Sequence, residues 1–185
     1  MEKFFKHNLP FLEEQCDEEE QSWFFTILDD SLWIINLVEW PRLVSLGVIE
    51  FFLPYYTGQK IKKPSTTKPG LNEHAYPRKL GTTDIFKSGI LLRSSKEIFN
   101  RIVELTRTRL VVPKEHKRLT PLQREGVFTT PDRIYAEARV PVFPLEKPEL
   151  QTVHFSAKNQ QCFERKIERD RPIYTKIAEK CGLLI

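Results

Sequence analysis

Apolar residues gather in one block, residues 22 to 56, and beyond it recur only in short runs. Trp23 to Leu28 is aromatic and β-branched, Asp29-Asp30-Ser31 reads as a turn, and Leu32 to Trp40 resumes the apolar pattern. This predicts a hairpin, with a buried helix as the alternative that periodicity alone leaves open. Trp23, Trp33 and Trp40 all fall here, and such large aromatics are expected in the core. Pro41 suits the first turn of a following helix that carries Leu43, Leu46, Val48 and Phe51 and ends at Pro54. From Thr57 to Gly81 the chain turns to Gly, Pro, Lys, Thr and Ser. That composition has little to bury and predicts an extended, mobile loop, the best candidate for disorder.

Ile85 to Leu92 reads as a short strand or helix end. Ser94 and Glu97 then form an S-x-x-E capping box, and Ile98, Phe99, Ile102, Val103 and Leu105 make one apolar stripe, predicting a helix to about Arg109. Its opposite face mixes Arg93, Lys96 and Arg107 with Glu97 and Glu104, the pattern of an ordinary solvated helix. Leu110 to Val112 is brief and apolar, Pro113 ends it, and Lys114-Glu115-His116-Lys117-Arg118 reads as a basic loop. Ile134, Ala136, Ala138, Val140 and Val142 alternate as in a strand, which Pro141 and Pro144 restrict to an edge or an interruption. Thr152 to Ala157 reads as another strand. At Asp170-Arg171-Pro172 the tail divides, and Ile173, Ile177, Cys181 and Leu184 predict a terminal helix closed near Gly182.

These elements predict an α+β fold in a single compact domain of 185 residues, with short strands, a central amphipathic helix and a C-terminal helix. Its expected parts are an acidic apolar N-terminal layer (1–56), a basic Pro-rich loop (57–81) and a mixed remainder (82–185). Within 22–56 the longest charge-free run is Ser31 to Val38. A helix needs about 20 apolar residues to span a bilayer, so no membrane span is expected. The front of the chain lacks the apolar run and cleavage site of a secretory signal. Cys16, Cys162 and Cys181 are few and widely spaced, which suggests reduced thiols and an intracellular location: cytoplasm, nucleus or virion interior.

Charge changes this picture most. Residues 1–59 hold 3 Lys/Arg against 11 Asp/Glu, a balance of −8, whereas 60–124 hold 16 against 5, a balance of +11. The acidic run at 13–21 reads as a solvated loop or a helix's first turn. A basic middle beside an acidic front points to a polyanion or an acidic protein as partner, or to pairing between copies. The expected contacts are Lys60, Lys62, Lys63, Arg78, Lys79, Lys114, Lys117 and Arg118.

Motifs for chemistry are sparse. His7, His74, His116 and His154 show no metal-ligand spacing, and Walker A, G-x-G-x-x-G, G-x-S-x-G and H-E-x-x-H are absent. No metal, cofactor or catalytic residue is therefore assigned. Arg109 and His116, with six residues between them, resemble the Arg and His of HEPN-type ribonucleases, where the pair sits on one helix; here Pro113 intervenes. Leu80-Gly81-Thr82, Gly89-Ile90-Leu91 and Gly126 to Pro131 with Tyr135-Ala136 resemble the segment order of ADP-ribosyltransferase folds. That resemblance implies an NAD-holding residue ahead of Gly81, where this chain has Leu80 with Arg78 nearby, and a late acid such as Glu137 or Glu146. The favoured expectation is a non-catalytic binding or assembly protein that contacts nucleic acid, RNA or DNA, or an acidic protein. A degenerate ADP-ribosyltransferase-like enzyme and a self-assembling scaffold, a homo-oligomer without nucleic acid, are the alternatives.

Overall fold

The computed structural model describes residues 42–75, 94, 96–97, 100–101, 104, 107–125 and 131–183. The expected hairpin, the three tryptophans, the acidic run, Cys16, Arg78, Lys79 and the 80–92 and 126–130 segments lie outside these. The chain divides into two compact units, Met1–Glu39 with His74–Thr108 and Trp40–Glu73 with Arg109–Ile185. In the first, residues 96, 97, 100, 101 and 104 are helical. The expected capping box is present: Ser94 N–H donates to Glu97 Oε2 at 3.1 Å, and Glu97 N–H donates back to Ser94 Oγ at 3.4 Å. Arg109, expected at the end of this helix, lies instead in a strand.

The described elements run β1 (Arg42–Ser45), α1 (Leu46–Tyr56), β2 (Leu71–His74), β3 (Thr108–Val111), α2 (Pro113–Glu125), α3 (Pro131–Glu137), β4 (Val142–Leu145), α4 (Lys147–Val153) and α5 (Gln160–Lys180). The fold is α+β. The four strands form one mixed sheet in the order β2-β3-β1-β4. β1 pairs parallel to β3, with Val44 opposite Leu110, and antiparallel to β4, from Arg42 opposite Leu145 to Ser45 opposite Val142. Because strand side chains alternate, neighbouring residues serve different cores. Val44, Leu110, Phe143 and Leu145 pack with α1, α4 and α5, whereas Val111 and Val142 pack with α2 and α3.

The larger core is aromatic. Val48, Ile49, Phe52, Tyr55 and Tyr56 form the buried stripe of α1, at the spacing a helix needs to present one face. Tyr56 stacks on Tyr174 of α5 with centroids 4.1 Å apart, and Tyr55 meets Phe163 edge to face at 5.4 Å. Both buried phenols are satisfied by carbonyls: Tyr56 donates to Thr152 at 2.9 Å and Tyr174 to Ile49 at 2.8 Å. Burial raises the pKa of both hydroxyls, so they stay protonated donors.

Several local expectations fail, and proline explains two of them. Pro54, Pro121 and Pro172 lie inside α1, α2 and α5. A proline removes the bond to the carbonyl four residues back. Those carbonyls belong to Glu50, Lys117 and Glu168, residues on the exposed faces of their helices, where a missing bond is best tolerated. Hence α1 continues to Tyr56, and the tail is one helix of 21 residues. Asp170 does not cap a second helix; it is buried and paired with Lys166 and Arg169. The expected end does hold, since Gly182 (φ 74°) closes α5 with Leu183 N–H on Ala178 O at 2.8 Å and Gly182 N–H on Glu179 O at 3.0 Å.

The helix expected to carry Leu43 begins later, because Arg42–Ser45 is β1 and Ser45 caps α1, accepting from Val48 N–H at 3.4 Å. The 114–118 run is not a loop: Pro113, whose missing N–H is no loss in a first turn, opens α2. The predicted strand over 134–142 is α3 followed by β4, because Ile134, Tyr135 and Ala138 are buried at helical spacing while Ala136 is exposed. β4 is an edge strand, as Pro144 within it requires. Thr152–Val153 ends α4 rather than beginning a strand. Nor is 57–70 free. Thr67 Oγ1 donates to Phe155 O at 2.8 Å, and Lys63 N–H donates to Gln160 Oε1 at 2.7 Å, which straps the segment down. Among the described residues no helix is long and apolar enough to cross a membrane.

The ends of the two parallel strands are tied by Glu115. Its carboxylate accepts from Ser45 Oγ, from Gly47 N–H at 3.2 Å and from Val112 N–H at 3.0 Å, so one buried side chain serves the starts of α1 and α2. A Cβ on Gly47 would lie 2.6 Å from Glu115 Oε1 and 3.0 Å from Val112 Cγ2, so only glycine admits this approach. Glu115→Ala is expected to cost about 3 kcal/mol by stranding three donors, with Glu115→Gln milder, as read from urea unfolding midpoints. Asp170 gives a pH signature. Burial opposes its ionisation, but hydrogen bonds from Arg169 and Lys166 outweigh it and hold the carboxyl below its ordinary 3.8. The stabilisation is therefore complete above that value and disappears as pH falls through the lower folded value. Asp170→Asn should lose about 1 to 2 kcal/mol at pH 7, and its difference from the parent protein should shrink below pH 3.8.

Candidate functional site

The second face of the sheet carries an unusual share of charge. Of the buried charged residues described, Glu73, Arg109 and Glu115 belong to β2, β3 and α2, leaving Asp170 on α5. Glu73 accepts from His116 Nδ1–H and from Gln123 Nε2–H at 2.8 Å, both on α2. The imidazole is partly exposed and the carboxylate buried. Tyr135 of α3 senses all three groups: burial raises its hydroxyl, the Arg109 charge opposes this, and Glu73 and Glu115 add to it.

Arg109 is the exception among these buried charges. Only 7% of the residue is exposed. Its Nη2–H donates to Asp132 Oδ1 at 2.7 Å, and its guanidinium lies over the Tyr135 ring at 4.3 Å. Among the described residues Nε and Nη1 have no hydrogen-bond partner, and neither does the Tyr135 hydroxyl. A buried unmet donor costs about 1 to 3 kcal/mol. The one carboxylate supplied, Asp132, has an 88% exposed side chain, so water screens the pair.

These groups border a cavity of about 390 Å³ lined also by Arg139, Val140, Pro141 and Val142. Arg139 has φ 52° and ends α3 in the way a glycine normally does: Val140 N–H reaches Tyr135 O at 2.9 Å and Arg139 N–H reaches Ala136 O at 3.0 Å. A left-handed arginine costs about 1 to 2 kcal/mol, and its side chain is exposed at the cavity wall.

Of the expected contact residues, Lys114, Lys117 and Arg118 are brought together. They occupy the exposed face of α2 within an arc of about 100°. The acid in that run, Glu115, points inward and is consumed by the strand ends. Lys60, Lys62 and Lys63 sit on the strap beyond α1, with Lys63 half-buried. Lys60 borders a groove of about 270 Å³ that also contains Glu164, Glu168 and Arg171, so the charge there is mixed. Arg109 and His116 do not share a helix as in the HEPN arrangement, since one is on β3 and the other on α2. Tyr135-Ala136 is helical, Glu137 ends α3, and Glu146 caps α4. The described cysteines, Cys162 and Cys181, are free thiols. Among the described residues no group of three or more His, Cys, Asp or Glu is placed to hold a metal ion.

The cavity escaped the sequence reading because Arg109, Asp132 and Arg139 come from separate elements. The available signal was an arginine leading the apolar Leu110 to Val112 run. Arg139→Gly should relieve the left-handed strain and raise stability by about 1 kcal/mol in a urea titration. A drop in stability would show that its side chain holds the fold. The chain matches no protein-family model, no curated protein and no solved structure.

Proposed function

We propose that the chain is a non-catalytic binding protein whose basic middle, residues 60–124, contacts nucleic acid or an acidic protein surface. The observation that carries this reading is the outward face of α2. Lys114, Lys117 and Arg118 are exposed together while Glu115, the acid between them, is buried. None of the three has an ion-pair partner among the described residues. A helix face with three cations and its own carboxylate turned inward suits successive phosphates or clustered side-chain acids. Lys60, Lys62 and Lys63 add charge on a strap held in place at Gln160, and Arg78 and Lys79 complete the proposed set from outside the described residues.

Fluorescence anisotropy with labelled single-stranded RNA, single-stranded DNA and polyglutamate, over a salt series, tests the reading. Neutralising Lys114, Lys117 and Arg118 together to Ser is expected to weaken binding and to lower the logarithmic salt slope for single strands by about 2. Binding to RNA or DNA supports a nucleic-acid partner, and binding to polyglutamate alone supports an acidic protein. No binding to any probe, or a salt slope unchanged in the triple variant, overturns the reading. Transfer or hydrolysis of labelled NAD by the purified chain would overturn its non-catalytic part.

A further inference from the structure

We propose that the Arg109 cavity is a binding site for a small amphipathic organic anion, a carboxylate or phosphate carried on an apolar body. Four observations meet there. The cavity, about 390 Å³, falls in the range of ordinary ligand sites. Its wall is apolar along Ala136, Val140, Pro141 and Val142, which suits a hydrophobic body rather than a bare ion. Arg109, 93% buried by its 7% exposure, keeps Nε and Nη1 unpartnered. Arg139 is held at the rim at φ 52°, a conformation a glycine would adopt without strain.

Asp132 explains how an anion enters. Among the described residues it is the one carboxylate on the guanidinium, bound through a single Nη2–H, and its side chain is 88% exposed. A ligand carboxylate or phosphate takes its place at Nη2, and a small in-plane shift of the guanidinium brings Nη1, which has no accessible surface in the unliganded chain, onto the second oxygen, making the stronger, bidentate arrangement. The Tyr135 ring beneath Arg109 keeps the guanidinium plane in place, so the donors are preorganised. Asp132 is thus a built-in competitor for the ligand. This site is separate from the polyanion face of α2, and either proposal can fail without the other.

The test is titration of the full chain with benzoate, with phenyl phosphate, and with benzamide as the neutral control, followed by the Arg109 Nε–Hε resonance and by calorimetry. Either or both anions are expected to shift that resonance saturably while benzamide does not, and the preferred anion tells carboxylate from phosphate. Asp132→Asn removes the competitor and should tighten binding about fivefold or more. Arg139→Gly, expected to fold at least as well as the parent, should weaken it by a similar factor. Failure of both anions to saturate by about 10 mM, equal response to benzamide, or an affinity unchanged in Asp132→Asn would overturn the proposal.

Discussion

One buried carboxylate organises the second unit of this protein. Glu115 receives donors from the ends of β1 and β3 and from the first turn of α1, and thereby fixes where both helices begin. Two parallel strands followed by two helices create a place where backbone donors converge and where many α/β proteins hold an external anion. Here the chain fills that place itself. The absence of side chain at Gly47 is part of the same arrangement, since any Cβ there would displace the carboxylate.

That internal use of an acid shapes the surface. Lys114, Lys117 and Arg118 surround a residue of opposite sign in the sequence, yet on α2 they face solvent without it. The covered side of α2 meanwhile holds Leu119 in the core and His116 and Gln123 on Glu73. Carboxylates Glu73 and Glu115 are each answered by two or three donors, whereas Arg109 is answered by one exposed acid. Among the described residues of this face the unpartnered buried polar atoms are those of Arg109 and Tyr135 at the cavity, and buried polar imbalance in native proteins usually has a reason.

Part of the fold is plain from residues alone. The Ser94/Glu97 capping box, the glycine closing α5 and the edge position forced on β4 by Pro144 are local stereochemistry, and each appears where its residues stand. Proline misleads for an equally physical reason. A sequence reports that an N–H is missing but not whether the orphaned carbonyl belongs to a core or a solvent-facing residue; for Pro54 and Pro172 that residue is exposed, and the helices persist. Likewise the alternation over 134–142 fits both periods over so short a span, and burial of Ile134, Tyr135 and Ala138 decides for a helix.

Residue order by itself determined the mixed α+β class, the Ser94/Glu97 capping box, the glycine that closes α5 and the concentration of cations between 60 and 124, because these depend on neighbours along the chain or on simple counts. Tertiary structure alone decided which charges remain at the surface. Glu115 turns inward because Ser45, some seventy positions away, supplies a donor, and Arg109 meets Asp132 and Arg139 only when β3, α3 and the approach to β4 pack together. Burial and hydrogen-bond partnership are properties of the packed chain, and they select the chemistry available from the residues the sequence provides.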